Sequence, residues 1–300
     1  MPEIELAAGT IEYEDTGGDG PVLVFQHGLA MDGSLWRKVV PELSAEHRCV
    51  VPTLPVGGHR RPMRPDADLT LHGQGRILAD FVASLGAREV TLVASDLAFG
   101  QVVAVEWPDR IARLVLISQE AFDNYPPGLP GRTLWLACQV PGGLNALIQQ
   151  MRIRPLRRLP MAFGQMVKRP IPHEVTDVWF EPLLTNRAIR RDLVKYVRPA
   201  RKRMMAQTSE RLREFDRPAL VVWAKEDRVM PREHGRRLAE LLPQGRLVEI
   251  DDSRTLIPED QPVELARVIR EFVAETPAPA QSSDNGVSEA AGTPSGTVSS

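Results

Sequence analysis

The sequence predicts an α/β protein with a mostly parallel sheet, helices on both faces and a helical lid insertion. Short apolar runs alternate with helical patterns along residues 1–122 and 206–273, and this alternation is typical of βαβ units that build a parallel sheet. Residues 123–205 contain many prolines and amphipathic stretches but no good strand run. Because an open parallel sheet binds ligands at the carboxyl ends of its strands, we expect this insertion to lie over the site as a lid.

The individual elements follow from the spacing of apolar residues. Residues 4–6 and 11–13 alternate at period two around Gly9, which predicts a hairpin. Thr70 is a favourable N-cap for a helix with apolar positions from Leu71 to Leu85, and Gly86 ends it. Residues 274–300 are rich in Pro, Ser, Gly, Ala and Thr and are predicted to form a disordered tail. The other predicted strands are residues 22–25, 48–51, 90–94, 114–117, 219–223 and 246–250, and the other predicted helices are residues 98–106, 231–242 and 262–273.

Composition excludes several classes of protein. With 43% hydrophobic and 25% charged residues, the chain is neither wholly disordered, collagen-like nor a disulfide scaffold. The net charge of −2 argues against nucleic-acid binding, and no apolar run approaches the roughly 18 residues of a membrane span. The first residues lack the basic and apolar regions of a signal peptide. Cys49 and Cys138 lack metal-ligand spacing, so we expect free buried thiols and a cytoplasmic location. Because the sequence shows no Gly-rich phosphate loop, redox Cys pair or His/carboxylate cluster, we expect neither a metal nor another cofactor.

The most informative stretch surrounds Asp96. The strand predicted to end at Ala94 is followed within a few residues by a helix, and small residues, Ala94 and Ala98, flank Asp96 at two positions on either side. This pattern is typical of a sharp strand-to-helix turn that exposes its central side chain above the sheet. The helix N-terminus and the Leu97 N–H are expected to favour the carboxylate, and an ionised Asp is a competent nucleophile. The alternative is an N-cap Asp with no chemistry.

These motifs resemble the α/β-hydrolase fold family across about residues 20–273. Residues 25–29 (Phe-Gln-His-Gly-Leu) are similar to the family's oxyanion loop. The resemblance implies a nucleophile at Asp96, as in the haloalkane dehalogenase and epoxide hydrolase branches. Residues 222–231 are similar to the segment that holds the acid of the catalytic triad, and they place Asp227 there. The resemblance also implies oxyanion donors at Leu29 and Leu97. It further implies a substrate pocket formed by His27, Gly28, Trp36 and Glu120. A purely structural role is the alternative for His27.

The position of the family's catalytic histidine is occupied by Thr255. Counting back from Pro262 in the Pro-x-x-Gln-Pro segment leads to this threonine, and no histidine follows His234. A hydroxyl has no useful pKa near 7, and the loss of a general base typically costs about 10²–10⁴-fold in rate. We therefore expect an ester on Asp96 to accumulate. Residues 53–60, 119–128 and 252–255 also resemble a less-studied group of bacterial α/β-hydrolase homologues, and this resemblance implies that the group shares the missing histidine.

Other residues are candidate substitutes for the missing base. His59 follows the strand at residues 48–51, and Glu120 follows the strand at residues 114–117, although a surface loop or a lid hinge is the alternative for each. Two further departures weaken the expectation of dehalogenase or epoxide hydrolase chemistry. Leu97 stands where dehalogenases carry a Trp, and the insertion offers only Tyr125 and Tyr196 as the tyrosine pair of epoxide hydrolases.

The lid is strongly basic, because residues 123–205 hold 15 Lys or Arg against 5 Asp or Glu. One interpretation is the solvated face of amphipathic helices. The other is a docking face for an acidic carrier protein or an anionic ligand.

The sequence therefore predicts an enzyme that acts through Asp96 on a small, mostly apolar substrate without the usual histidine. The reaction is hydrolysis by another base, or a cyclisation, elimination or isomerisation. The alternative is a non-catalytic binding or scaffold protein derived from a hydrolase. The sequence does not identify the substrate or the oligomeric state.

Overall fold

A computed structural model describes residues 1–87 and 89–276. Its centre is an eight-stranded sheet in the order β1-β2-β4-β3-β5-β6-β7-β8. The β1–β2 and β2–β4 pairs are antiparallel and every other pair is parallel. The predicted α/β class is thus confirmed, and so is each predicted strand. The strands are β1 (Glu3–Leu6), β2 (Gly9–Asp15), β3 (Val22–Gln26), β4 (Arg48–Pro52), β5 (Val90–Asp96), β6 (Arg113–Gln119), β7 (Ala219–Ala224) and β8 (Gly245–Ile250).

Helices cover both faces of this sheet. The core helices are α1 (Val40–Leu43), α2 (Leu71–Ser84), α3 (Phe99–Glu106), α9 (Arg232–Leu241), α10 (Ile257–Asp260) and α11 (Pro262–Glu275). The predicted cap of α2 forms, since the Gly73 N–H donates to Thr70 Oγ1 at 3.3 Å. Within α2, Gly75 allows α3 to approach closely, because a Cβ at this position would lie 2.3 Å from Val102.

The last helix is longer than the sequence predicts. Helix α11 continues to Glu275, whereas the disordered tail was predicted to begin at residue 274. Ion pairing between Glu275 and Arg246 and a hydrogen bond from the Thr276 N–H to the Phe272 carbonyl hold its final turn. Residues 277–300, the rest of the predicted tail, lie outside the described residues.

The insertion between β6 and β7 is helical. It contains α4 (Gly128–Gln139), α5 (Gly143–Gln150), α6 (His173–Thr185), α7 (Arg187–Val197) and α8 (Lys202–Glu210). The predicted lid boundary at residue 205 falls inside α8, whose second half docks on the core. There, Ser209 Oγ donates to Gln101 Oε1 of α3 at 2.9 Å.

The two central strands position the candidate site. Every residue of β5 and β6 is buried, as expected for central strands covered on both faces. Their carboxyl ends are adjacent, because Asp96 pairs with Gln119 after a register shift at Ser95 and Asp96. The topology thereby brings Asp96 next to Glu120, 24 residues later in the chain. Within the described ranges, the helices include none that is both long and apolar enough to cross a membrane.

Candidate active site

Asp96 occupies the apex of a sharp turn between β5 and α3. Its φ of +66° lies in the left-handed region, which costs a non-glycine residue on the order of 1–3 kcal/mol and is typical of functional sites. The Leu97 N–H donates to the Ser95 carbonyl at 2.7 Å. Helix α3 begins only at Phe99, with Ala98 as its N-cap. Asp96 is therefore not the N-cap of this helix, and the alternative of a simple capping role is wrong.

The turn is supported by the side chain of Gln26, a residue that the sequence did not single out. Its amide Nε2 donates to the Ser95 carbonyl at 2.8 Å and to the Leu97 carbonyl at 3.1 Å. Its Oε1 accepts from the Gly100 N–H at 3.2 Å. The available signal was a polar residue closing an otherwise apolar strand, since a buried amide must find partners. Gln26 therefore holds both sides of the turn that carries Asp96.

The loop after β3 lies directly against the Asp96 carboxyl group. The Leu29 N–H donates to Asp96 Oδ2 at 3.1 Å, so this predicted oxyanion donor binds the carboxylate itself. A Cβ at Gly28 would lie 2.7 Å from the same oxygen, which explains why this position is glycine. The other predicted donor, the Leu97 N–H, is engaged by the Ser95 carbonyl.

Asp96 opens into a cavity of about 1040 Å³, a volume that includes its mouth. Its described wall contains only four polar side chains, those of Asp96, Glu120, Tyr125 and Tyr196. Leu29 and Leu97 contribute to the wall near the turn, and the insertion supplies much of the rest. A mostly apolar cavity with a few convergent polar groups is the usual form of a small-molecule site. The apolar lining from the insertion includes Leu134, Leu147, Ile148, Met151, Met161, Phe163, Met166, Phe180, Leu193 and Val197.

Burial controls the ionisation of Asp96, which is only 3% exposed. Loss of solvation raises the pKa of the Asp96 carboxyl from its ordinary value of 3.8 to about 6, the Leu29 N–H opposes this rise, and the charge of Asp227 adds to it. The expectation that the turn favours the carboxylate is therefore wrong in sign, because desolvation outweighs the donated hydrogen bond. The group is nevertheless mostly ionised at neutral pH.

Glu120 and Tyr196 form a second polar pair in the cavity. The Tyr196 hydroxyl donates to Glu120 Oε2 at 3.2 Å, and both side chains are buried. Burial, and after it the nearby charge of Asp96, raise the pKa of Glu120 well above its ordinary value. Burial also raises the pKa of the Tyr196 and Tyr125 hydroxyls. Asp96 thus shares its cavity with three polar groups whose pKa values are all raised by burial.

The side chains of Asp227 and Thr255 are hydrogen-bonded to each other. Thr255 Oγ1 donates to Asp227 Oδ1 at 2.7 Å, and the same oxygen accepts the N–H groups of Val229 at 2.9 Å and Met230 at 2.8 Å. Burial raises the pKa of Asp227. Neither Asp227 nor Thr255 belongs to the described cavity wall. The hydroxyl of Thr255 therefore satisfies the acid rather than reaching toward Asp96.

The other predicted pocket residues lie behind the cavity wall. His27 is fully buried, accepts the Leu54 N–H through Nε2 at 2.8 Å and is 2.8 Å from the Gly28 carbonyl through Nδ1. Burial lowers the pKa of His27 to about 4, so it is a neutral residue that fixes the loop. Trp36 is buried against Phe25 at a ring separation of 4.9 Å. Of the four residues predicted to line the pocket, only Glu120 belongs to its wall.

The remaining candidate base, His59, is used elsewhere. Its Nε2 lies 3.3 Å from Asp192 Oδ2 on α7, and its Nδ1 accepts the Gly57 N–H. Asp192 also accepts the Met63 N–H at 2.8 Å. This buried pair joins the insertion to the loop after β4 and does not border the cavity. Among the described residues no group of three His, Cys, Asp or Glu side chains is arranged to hold a metal ion.

Comparisons with known proteins agree with this architecture. A family model described as "Alpha/beta hydrolase family" matches residues 22–268. A haloalkane dehalogenase from Mesorhizobium japonicum is 27% identical over 191 residues, which cover 61% of this chain and 59% of that protein. A cis-3-alkyl-4-alkyloxetan-2-one decarboxylase from Xanthomonas campestris pv. campestris is 26% identical over 288 residues, which cover 89% of this chain and 93% of the relative.

A solved structure shows the same fold. An alpha/beta hydrolase fold protein from Burkholderia ambifaria superimposes with a TM-score of 0.74 at 24% identity, covering 90% of this chain and 97% of its own. At this level of identity the likeness extends to the fold alone.

Proposed function

The chain belongs to the alpha/beta hydrolase family, and we propose that it is an enzyme that acts through Asp96 on a small, mostly apolar molecule. The observation that carries this proposal is a strained, buried carboxyl group at the end of β5 that faces a mostly apolar cavity. Such a group is costly to the fold, since both its backbone angle and its desolvation are unfavourable. A carboxylate that takes part in a reaction would account for this loss of stability.

Asp96 is suited to attack carbon. Its carboxylate is partly stripped of water, and the Leu29 N–H engages Oδ2, which leaves Oδ1 available. Attack by this oxygen on an electrophilic carbon forms an ester while the leaving group departs with its electron pair. No separate base is needed for this first step, because the nucleophile is already ionised at neutral pH.

The second step decides between hydrolysis and a reaction without water. Hydrolysis of the ester needs a base to activate water, but Thr255 Oγ1 donates to Asp227, and burial raises the pKa of Glu120 well above its ordinary value. We propose instead that turnover requires no activated water. In an elimination, cyclisation or isomerisation, the Asp96 carboxylate leaves again or acts as a base, and Glu120 with Tyr196 supplies a proton where one is needed.

Ring opening of an oxetan-2-one is the most concrete form of this chemistry, and it is suggested by the name of one relative. Asp96 would attack C4, the alkyl-bearing ring carbon bonded to the ring oxygen, and cleavage of the C4–O bond would leave the ring-opened substrate as a carboxylate attached at C3. Loss of CO₂ would then place the electron pair in a new C=C bond while the C–O bond to Asp96 breaks. The products are an alkene and CO₂, and the Asp96 carboxylate is regenerated without water.

The test is intact-protein mass spectrometry combined with product analysis. Wild type and Asp96→Asn would be incubated with a haloalkane, an epoxide, an activated ester and a cis-3-alkyl-4-alkyloxetan-2-one. Asp123→Asn is a matched control, because this carboxyl group is 79% exposed and does not line the cavity. An adduct or an alkene formed by wild type and Asp123→Asn, but not by Asp96→Asn, supports the proposal.

Two outcomes would contradict it. Repeated hydrolysis in ¹⁸O-labelled water, with the label entering the Asp96 carboxyl group, would show that a base activates water. Saturable binding without an adduct or product would favour a non-catalytic binding protein derived from a hydrolase.

We also propose a cytoplasmic location. Cys49 and Cys138 are both buried and unbridged, as expected for thiols in a reducing compartment. Cell fractionation followed by detection of the native chain tests this.

A further inference from the structure

A second cavity, of about 540 Å³ including its mouth, lies in the insertion next to the main one. Phe163 belongs to the wall of both cavities. Three arginines, one lysine and one histidine line the second cavity, and its described wall contains no carboxylate. The five are Arg157, Arg158, Lys168, His173 and Arg254. A concave surface of this composition favours an anion.

Two of these five side chains are already neutralised from outside the cavity. Arg157 Nη1 pairs with Asp177 Oδ1 at 2.5 Å. Lys168 Nζ pairs with Glu226 at 2.6 Å and with Asp252 at 2.7 Å. Both residues form part of the wall, but their positive charges are already compensated by these carboxylates.

The guanidinium groups of Arg158 and Arg254 have no carboxylate partner among the described residues, although the Arg254 backbone N–H donates to Asp260 Oδ2 at 3.0 Å. Arg158 Nη2 lies 3.3 Å from Nε2 of His173. Arg254 Nη1 donates to the carbonyls of Gly164 at 3.1 Å and Val167 at 2.9 Å, whereas its Nε is buried without any hydrogen-bond partner in the described chain. A buried N–H of a charged group that lacks an acceptor is unfavourable. Because no carboxylate of the described residues pairs with either guanidinium group, both retain the positive charge that an anion in the cavity would meet.

The beginning of α6 adds to the positive field. Helix α6 starts at His173 and is 13 residues long, and Thr176 of its first turn also lines the cavity. The positive end of the helix dipole therefore meets the two arginines at the same cavity.

We propose that this second cavity binds an anionic group, a carboxylate or a phosphate, held between Arg158, His173 and Arg254. The group is either a free anion or the anionic end of a molecule whose apolar body fills the main cavity beyond Phe163. Anion binding does not depend on the reactivity of Asp96, so the proposed function can fail while this site stands.

Calorimetric titration with inorganic phosphate, acetate, octanoate and octyl phosphate tests the site. Arg158→Gln removes one free guanidinium, and Arg152→Gln is its matched control, because Arg152 is exposed in the same stretch but does not line the cavity. We expect Arg158→Gln to weaken phosphate binding at least about tenfold, the effect of a lost charge-assisted hydrogen bond. Arg152→Gln should change it less than about twofold.

The alkyl chain distinguishes the two sources of the anion. If octyl phosphate binds much more tightly than inorganic phosphate, the second cavity holds the anionic end of a larger molecule. If the two bind equally, the cavity holds a free ion. The proposal is overturned if none of the four probes binds below about 10 mM, or if both arginine variants weaken binding equally. Thermal unfolding of each variant without ligand checks that the variant is folded. If Arg158→Gln does not fold, His173→Asn tests the site independently.

Discussion

Replacing Asp96 with Asn should stabilise the protein, and the gain should grow with pH. The carboxyl group is 3% exposed, and burial raises its pKa from 3.8 to about 6. A carboxyl group whose folded pKa is raised holds its proton longer in the folded state, so the free energy of unfolding falls as pH rises from 3.8 to 6. An asparagine has no proton to lose, and its side-chain oxygen still accepts the Leu29 N–H.

The size of the gain follows from the pKa difference. About two pH units at about 1.4 kcal/mol each amount to about 3 kcal/mol, reached above pH 7. At pH 5 only about half of the gain is expected, because Asp96 is then still protonated in the folded state but mostly ionised in the unfolded one. The pH dependence of the gain, rather than its absolute size, identifies the buried carboxyl group as the cause.

Urea unfolding of wild type and Asp96→Asn at pH 5 and pH 8 measures this difference. Asp19→Asn is the control, because Asp19 lies exposed in the loop before β3 and should give the same small change at both pH values. A variant that is less stable than wild type at pH 8, or a difference that does not change between the two pH values, would refute the reasoning.

Three further predictions concern the neighbours of this carboxyl group. Gly28→Ala should cost about 1–3 kcal/mol in urea unfolding and abolish adduct formation, because its Cβ would lie 2.7 Å from Asp96 Oδ2; unchanged adduct formation would contradict the contact. Thr255→Val should cost about 1–2 kcal/mol in the same assay by removing the bond to Asp227, yet leave the rate of adduct formation within about twofold; a loss as large as that of Asp96→Asn would give Thr255 a direct role. The rate of adduct formation in wild type should rise with pH and be half-maximal near pH 6, where Asp96 ionises; a rate that is constant from pH 5 to 8 would be the contrary result.

The fold was predictable because its strands are locally unambiguous. The runs that became β5 and β6 are apolar, short and bounded by turn residues, and burial on both faces of the sheet requires this pattern. The end of α11 was less predictable. Its final residues contact Arg246 and Arg113 through an ion pair with Glu275 and a buried hydrogen bond to the Thr276 carbonyl, and such partners far apart in sequence give no local signal.

The position of Asp96 was predictable from the small residues around the turn, but its ionisation was not. Local donors such as the Leu97 N–H can be read from the sequence, and they favour the carboxylate. The burial of the turn beneath the apolar insertion depends on the fold, and this burial reverses the direction of the pKa shift of Asp96. Gln26 was missed for a related reason, since its partners are backbone carbonyls 69 and 71 residues away.

The absence of a histidine changes what a buried carboxylate can do, and the structure shows how the surrounding residues are arranged without one. In a hydrolytic site the acid of the triad would orient a base toward the nucleophile. Here one oxygen of Asp227 accepts hydrogen bonds from the Thr255 hydroxyl and from two backbone N–H groups, so within the described residues Asp227 orients no histidine toward Asp96. The other polar groups of the cavity, Glu120, Tyr125 and Tyr196, all have pKa values that burial raises. A carboxyl group with a pKa of about 6, beside a glutamic acid whose pKa is raised well above its ordinary value, suits the proton transfer and reversible bond formation of the proposed elimination or isomerisation.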